Sequence, residues 1–249
     1  MTEVMIVTGG SRGIGAATAK LAAERGYAVA VNYVHDAAAA ARVVDEIEQR
    51  GLGRALAIAC DVAREQDVDR MFATVNRELG RPTALVNNAG VVEPISRVEH
   101  IDAARLARIF SINVLGSFLC ARAAVRCMSP LHGGRGGSIV NVSSAASRHG
   151  SPGEYVDYAA SKAAIDTFTL GLAKEVAAEG IRVNAVRPGI IRTEIHASGG
   201  DPGRVERLQP NIPVQRAGEP EEVARAILWL SSSEASYCTG TILDVTGGR

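Results

Sequence analysis

Tyr158 and Lys162 stand four residues apart in Tyr158-Ala159-Ala160-Ser161-Lys162, at the start of a helical pattern. Residues at i and i+4 stack on one helix face, so the phenol and the ammonium face the same site. The chemistry open to such a pair is proton transfer at the phenolic oxygen. A phenol of pKa ~10 must fall by about three units to act as a base near neutrality, roughly 4 kcal/mol. One cation about 4 Å away supplies about that much at an effective dielectric near 20, as an upper bound. On spacing alone the two residues read equally well as a solvated lysine and a buried core tyrosine.

Other residues supply context. Ser138-Ile139-Val140-Asn141-Val142-Ser143-Ser144 is a strand pattern whose C-terminal end delivers hydroxyls. A serine there either holds a substrate oxygen while Tyr158 exchanges its proton, or simply forms a turn. Near the N-terminus, Thr8-Gly9-Gly10-Ser11-Arg12-Gly13-Ile14-Gly15 lies between a β-branched run and a helical pattern. Glycines allow positive φ and close backbone approach, and a helix N-terminus presents unpaired N–H groups, which together suit the pyrophosphate of a dinucleotide. About twenty residues further on, an NAD-binding unit carries a carboxylate for the ribose 2′-OH. Here the strand ends with the neutral Asn32 and Tyr33, and the next acid, Asp36, falls beyond it. Arg12 places a guanidinium in the glycine turn that pairs with a 2′-phosphate, unless it is a solvated surface charge. These residues predict NADP(H) over NAD(H), with NAD(H) still usable. Asn87-Asn88-Ala89-Gly90 closes a fourth strand, its amides either bracing the junction or touching the cofactor ribose.

The elements that must carry these residues alternate. Strand patterns run from Val4 to Val7, Ala28 to Tyr33, Ala55 to Ala59, Ala84 to Asn87, Ser138 to Val142, Arg182 to Arg187 and Thr241 to Asp244. Helical spacing marks Ile14 to Arg25, Ala37 to Arg50, Glu65 to Leu79, Asp102 to Met128, Tyr158 to Ala178 and Glu221 to Leu230, the fourth of these readable as two helices. Such alternation predicts one α/β domain of the Rossmann type, a doubly wound seven-stranded parallel sheet with helices on both faces. Ligands of such sheets bind at the switch point, outside the carboxyl ends of the strands. Ser129 to Gly137 and His196 to Gln209 read as exposed loops, the second within a substrate lid spanning residues 190–216.

With 27 Lys plus Arg against 27 Asp plus Glu over 249 residues, the chain has no basic excess for nucleic acid or a membrane surface. No 18-residue uninterrupted apolar run and no charged leader is evident, so a cytoplasmic protein is expected. Cys60, Cys120, Cys127 and Cys238 lack C-x-x-C spacing and read as reduced thiols. His35, His100, His132, His149 and His196 show no ligand spacing, so no metal is expected.

From end to end the chain resembles a short-chain dehydrogenase/reductase: T-G-x-x-x-G-x-G matches Thr8 to Gly15, N-N-A-G matches Asn87 to Gly90, and Y-x-x-x-K matches Tyr158 to Lys162. The resemblance implies that Tyr158 is the catalytic acid/base, and that Lys162 lowers its pKa and binds the nicotinamide ribose. It implies that Ser144 positions the substrate oxygen, and that Asn113, in Ser111-Ile112-Asn113-Val114, holds a helix bend and a water of the proton relay. The cofactor site it implies comprises Gly9, Ser11, Arg12, Gly13, Ile14 and Gly15 of the turn, Asn32 and Tyr33, and Asp61 and Val62 at the adenine. Asn88, Ala89 and Gly90 complete it, with Pro188, Gly189, Ile191 and Thr193 at the carboxamide end. Ser144 lies fourteen positions before Tyr158, one more than is commonest in the family, which leaves Ser143 as an alternative. Tyr155 is excluded because the residue four on is Ala159.

Ser151 to Asp157 resembles the loop of the glucose-1-dehydrogenase-like, sugar-dehydrogenase branch, while the overall pattern is also close to 3-oxoacyl-carrier-protein reductases. The resemblance therefore implies hydride transfer between a nicotinamide and a small-molecule carbonyl or secondary alcohol. It also implies a homotetramer, with the C-terminal strand Thr241 to Val245 near a subunit interface. In the lid, Arg192, Arg204 and Arg207 either greet an anionic carrier or are solvated charges. The competing readings are a non-catalytic dinucleotide-binding regulator on the same fold and a Rossmann-like methyltransferase. The tyrosine–lysine pair speaks against both.

Overall fold

The computed structural model describes residues 3–249. Its sheet has seven parallel strands: β1 (Val4–Val7), β2 (Ala28–Tyr33), β3 (Ala55–Ala59), β4 (Ala84–Asn87), β5 (Gly137–Val142), β6 (Ile181–Pro188) and β7 (Ile242–Val245). Their order across the sheet is β3-β2-β1-β4-β5-β6-β7, so the winding reverses between β1 and β4. The principal helices are α1 (Gly13–Glu24), α2 (Ala37–Gln49), α3 (Glu65–Glu78), α4 (Ala103–Phe110), α5 (Gly116–Met128), α7 (Val156–Val176) and α10 (Pro220–Ser231). Three short ones lie between: α6 (Ala146–His149), α8 (Ile195–Ser198) and α9 (Arg204–Leu208). This is the doubly wound α/β fold that the alternation predicts, in a single domain.

Strand period 2 builds two cores. In β1, Val4 and Ile6 join Val68, Met71, Leu119 and Val176 beneath α3, α5 and α7. Met5 and Val7 point the other way, to Ala19, Val43 and Ile227 of α1, α2 and α10. Each face thus receives alternate residues of a nearly continuous apolar strand, as expected of a parallel sheet covered on both sides.

The Asp102 to Met128 pattern resolves into α4 and α5 joined by a single π-helical segment, Ser111–Leu115. By length and composition this run is apolar enough to cross a bilayer, yet half of its most apolar window is buried within the fold. Helix α5 packs on α3, β4 and β5. The His196 to Gln209 stretch, expected to be loop, contains α8 and α9. Helix α7 starts at Val156, two residues before the expected start, so Tyr158 lies in its first turn.

Candidate active site

The glycine turn leaves β1 at the switch point and is fastened by neutral hydrogen bonds. Thr8 Oγ1 donates to the Val86 carbonyl and accepts from the N–H groups of Asn88 and Ala89, both at 3.0 Å. Asn88 Nδ2 donates to the carbonyls of Thr8 and Gly9, each at 2.9 Å, so its amide braces the β1/β4 junction. Gly9 and Gly13 adopt positive φ, +60° and +51°. At Gly15 a Cβ would stand 2.6 Å from Asn88 Nδ2 and closer still to the Gly9 carbonyl, so the turn closes only on glycine there.

Asn32, expected from the sequence at the cofactor ribose, turns inward instead. It is buried; its Oδ1 accepts from Gly9 N at 3.1 Å and its Nδ2 donates to the Cys60 and Tyr33 carbonyls. Its side chain holds the turn. Asp36 lies past the strand end and caps α2, accepting from Ala39 N at 2.8 Å. Tyr33 is half-buried and Arg12 exposed. Arg12 is the extended N-cap of α1, gives no side-chain cap, and makes no ion pair among the described residues. The N–H groups of the first turn of α1 therefore lack a side-chain acceptor, and an anion fits where they converge. Further out, Asp61 Oδ1 accepts from Ala63 N, and Val62 is buried with its methyls close against the bare Gly116.

The residues expected to transfer the proton come together from the segment just after β5 and from α7. Lys162 is buried, and its Nζ donates to the Val142 carbonyl at 2.8 Å and sits 5.6 Å from the centre of the Tyr158 ring. Ser144 Oγ accepts from Ala146 N at 3.1 Å, and its hydroxyl is near enough to the Tyr158 phenol to pull that group's pKa down against burial. Ser143 is spent elsewhere: buried, it donates to the Lys162 carbonyl at 3.1 Å. Of the two serines the sequence leaves open, Ser143 thus has its hydroxyl committed to the backbone of α7, while Ser144 lies at the strand end with Tyr158. Asn113 sits in the π segment, where its Oδ1 accepts from Val91 N and its Nδ2 donates to Val91 O and to Ser161 Oγ. Ser161 in turn donates to the Tyr158 carbonyl at 2.7 Å. A Cβ on Gly90 would meet Asn113 Oδ1 and Lys162 Nζ, both at 3.4 Å, so the bare edge of Gly90 joins the two clusters.

Burial acts on both members of the tyrosine–lysine pair. It pushes the Tyr158 phenol above the ordinary value, and the hydrogen bond from Ser144 and the charge of Arg204 offset this only in part. Burial also pushes Lys162 down to about 8, against the opposing pull of Asp166. Both shifts come chiefly from desolvation, which disfavours the charged form of each group.

Downstream of β6, Gly189 N donates to Val245 O and the Pro188 carbonyl accepts from Ala145 N. Ile191 is buried in the core beside α1 and α10, and a Cβ on Gly13 would lie 3.1 Å from Thr193 Cγ2, so Thr193 rests on the glycine turn. Of the three arginines expected in a lid, each is paired with a carboxylate. Arg204 is buried, donating to Glu154 at 2.6 Å and lying over the Tyr155 ring at 4.8 Å. Arg207 pairs with Asp201 and Glu154, and Arg192 with Glu206 and Glu219. Sequence reading missed Thr8 as the junction brace, Ser161, and the buried chain Asn87–Asn141–Thr169 behind the site. The Thr8 brace is signalled by its place in the turn motif; the amide chain spans three distant elements and carries no local signal.

A family model described as enoyl-(acyl carrier protein) reductase matches residues 9–249. The chain is 56% identical over 246 residues to an uncharacterized oxidoreductase, YgfF, of Escherichia coli (strain K12), covering 99% of both chains. It is 39% identical to a 3-oxoacyl-[acyl-carrier-protein] reductase of Synechocystis, covering 99% of this chain and 96% of that one. A crystal structure of a dehydrogenase/reductase from Sinorhizobium meliloti 1021 superposes with a TM-score of 0.91 at 34% identity, covering 99% of this chain and 94% of the other. Fold, turn and tyrosine–lysine geometry agree with these similarities: the chain belongs to the short-chain dehydrogenase/reductase family. It is accordingly an oxidoreductase of the NAD(P)-dependent dehydrogenase/reductase class.

Proposed function

We propose that the protein is an NADP(H)-dependent oxidoreductase of small neutral carbonyl compounds and the corresponding secondary alcohols, sugar-like ones included. The observation that carries this reading is the convergence of Ser144, Tyr158 and Lys162 beside a glycine turn that only glycine can close. The nicotinamide, when bound, supplies or accepts the hydride. The chain's own part is proton transfer and positioning. Ser144 donates a hydrogen bond to the substrate oxygen, and Tyr158 gives its proton to that oxygen in reduction and takes it back in oxidation. A phenol held above its ordinary value stays protonated at neutral pH, which suits the donor role in reduction. Lys162 and the Asn113–Ser161 pair hold the tyrosine's helix, and Gly9, Ser11, Gly13, Ile14, Asp61, Val62, Ala89, Gly90, Pro188, Gly189, Ile191 and Thr193 line the nucleotide's path.

NADP(H) is favoured because Arg12 is exposed and uncommitted while the nearest carboxylate, Asp36, is used in capping α2. A neutral substrate is favoured because the arginines of the lid, residues 190–216, are balanced by Glu154, Asp201, Glu206 and Glu219. A second reading, reduction of 3-oxoacyl thioesters on a carrier protein, draws on the similarity to the Synechocystis reductase. The homotetramer is supported by exposed Leu106, Phe110, Phe118 and Leu170 on α4, α5 and α7, and by the fully exposed Tyr237 before β7. Free thiols at all four cysteines suit a reducing cytoplasm. The test is NADPH oxidation with a panel of ketones, aldoses and acetoacetyl thioesters: neutral carbonyls are expected to be turned over best. A preference for the thioesters would transfer the assignment to the second reading, and nucleotide binding without any turnover would favour a regulator.

A further inference from the structure

Arg105 and Asp157 form an ion pair whose carboxylate is more deeply buried than that of any other pair among the described residues, with side-chain exposures of 14% and 1%. Arg105 Nε donates to Asp157 Oδ2 at 2.6 Å and its Nη2 to Oδ1 at 3.3 Å. Its Nη1 donates to the Pro94 carbonyl at 2.6 Å, and its own N–H is held by Asp102 Oδ1 at the N-cap of α4. Asp157 immediately precedes Tyr158, and its Oδ1 accepts the Tyr158 N–H at 2.9 Å.

Two physical considerations give this pair a role. Helix α7 begins without a side-chain cap, since Tyr155 at its N-cap provides none, so the first-turn N–H groups need acceptors from elsewhere. Asp157 provides one at Tyr158 itself. Secondly, a buried ion pair is a poor route to stability, because apolar residues of similar volume often serve as well or better. A positional function accounts for it directly. The Tyr158 peptide is gripped at both ends from one helical run: Arg105 of α4 acts through Asp157 on its N–H, and Asn113 of the π segment acts through Ser161 on its carbonyl. The same arginine ties in Pro94, which lies 3.7 Å from where a Cβ on Gly200 of the lid would be.

We propose that Arg105 and Asp157 are positioning residues for Tyr158, fixing the first turn of α7 and the segment around Pro94 in the geometry that proton transfer requires. The inference rests on reading Tyr158 as the acid/base. A misplacement of about 1 Å costs on the order of 100-fold in rate, so the pair governs kcat more than nucleotide binding.

The test uses the full-length protein and four variants, each assayed for melting temperature, NADPH affinity, kcat and KM with the best carbonyl of the panel, and amide exchange at Tyr158. Removing one partner alone strands a buried charge and endangers folding, so the informative variant is the double one, Arg105→Leu with Asp157→Leu. It is expected to keep its melting temperature and NADPH affinity, to lose about 10- to 100-fold in kcat with little change in KM, and to lose exchange protection at the Tyr158 N–H. Arg105→Lys, which keeps the charge but not the three-way grip, should fall between it and the wild type. A folded double variant with wild-type kcat and unchanged protection would overturn the proposal, as would a kcat loss matched by lost NADPH affinity. Asn113→Ala serves as the comparison for the opposite grip. Tyr158→Phe separates the two readings: if it retains turnover, the acid/base assignment fails, while exchange protection in the double variant still reads the clamp.

Discussion

The two halves of the site are held by different forces. On the nucleotide side, Thr8, Asn32 and Asn88 fasten the glycine turn with neutral, largely buried hydrogen bonds between neighbouring strands. On the substrate side, charges do the holding: Arg105 with Asp157, Arg204 with Glu154, Arg207 with Asp201, and Arg187 with Asp166 behind Lys162. The neutral network is rigid and indifferent to pH, and it leaves the convergent N–H groups of α1 free for an anion. Three of the charged pairs, those of Arg105, Arg204 and Arg207, involve loops or short or terminal helix segments, where pairing two elements fixes them without continuous packing, while Arg187 and Asp166 tie β6 to the middle of α7. On the proposed function, a cradle for a constant cofactor and a lid for a variable substrate make these different demands, and the chain adds ion pairs to neutral links such as Asn113–Ser161 on the second.

The comparison can be broken most severely at Gly15. With no room for a Cβ beside Gly9 and Asn88, Gly15→Ala is expected to lower NADPH affinity by more than 100-fold, as measured by fluorescence titration. Lys162, at the seam of the two halves, gives the next largest effect. Its pKa falls from 10.5 to about 8 on folding, so the native state binds fewer protons than the unfolded chain between those values. Stability contributed at this site therefore rises with pH through that window, and the burial penalty is fully present below about pH 8. Lys162→Met removes the penalty, so urea melts should show its stability relative to wild type to be better at pH 7 than at pH 10.5, by on the order of 3 kcal/mol. An equal difference at both pH values would show that Lys162 is not desolvated.

Smaller effects sharpen the comparison on each side. Arg12→Ala should weaken NADPH about tenfold, roughly 1.4 kcal/mol, while leaving NADH unchanged; equal losses for both nucleotides would remove the 2′-phosphate contact. Glu154→Gln weakens the tie between Arg204 and the loop before α7 without touching the nucleotide side. Its expected result is a KM raised about threefold for the carbonyl substrate at constant NADPH affinity. A change in NADPH affinity instead would show that the two halves are not independent.

What the sequence discloses is what depends on near neighbours. The alternation of patterns marks all seven strands to within a residue or so, because period 2 and period 3.6 are local properties. Likewise the glycine turn shows in its place between strand and helix, and the i, i+4 pair of Tyr158 and Lys162 stands out once it is set beside the other motifs. What is hidden depends on partners far along the chain. Asn32 turns inward because carbonyls wait at Ile58 in β3 and at Cys60 just past its end. Arg204 is buried because Glu154, fifty residues earlier, meets it. Asp157 finds Arg105 across 52 residues, a pairing no local pattern reveals. The upward push on the Tyr158 phenol is equally out of reach, since it comes from how deeply the folded chain buries that phenol.

The most direct measurement of the central claim is a paired one: NADPH binding and NADPH oxidation by the wild type and by Tyr158→Phe, against the same carbonyl panel. Removing one phenolic oxygen leaves the glycine turn and the α1 N-terminus intact. Both proteins should therefore bind NADPH equally, and only the wild type should oxidise it, with a loss of at least about 1,000-fold in the variant. Turnover by Tyr158→Phe at the wild-type rate, or failure of the wild type to bind either nucleotide, would contradict the account.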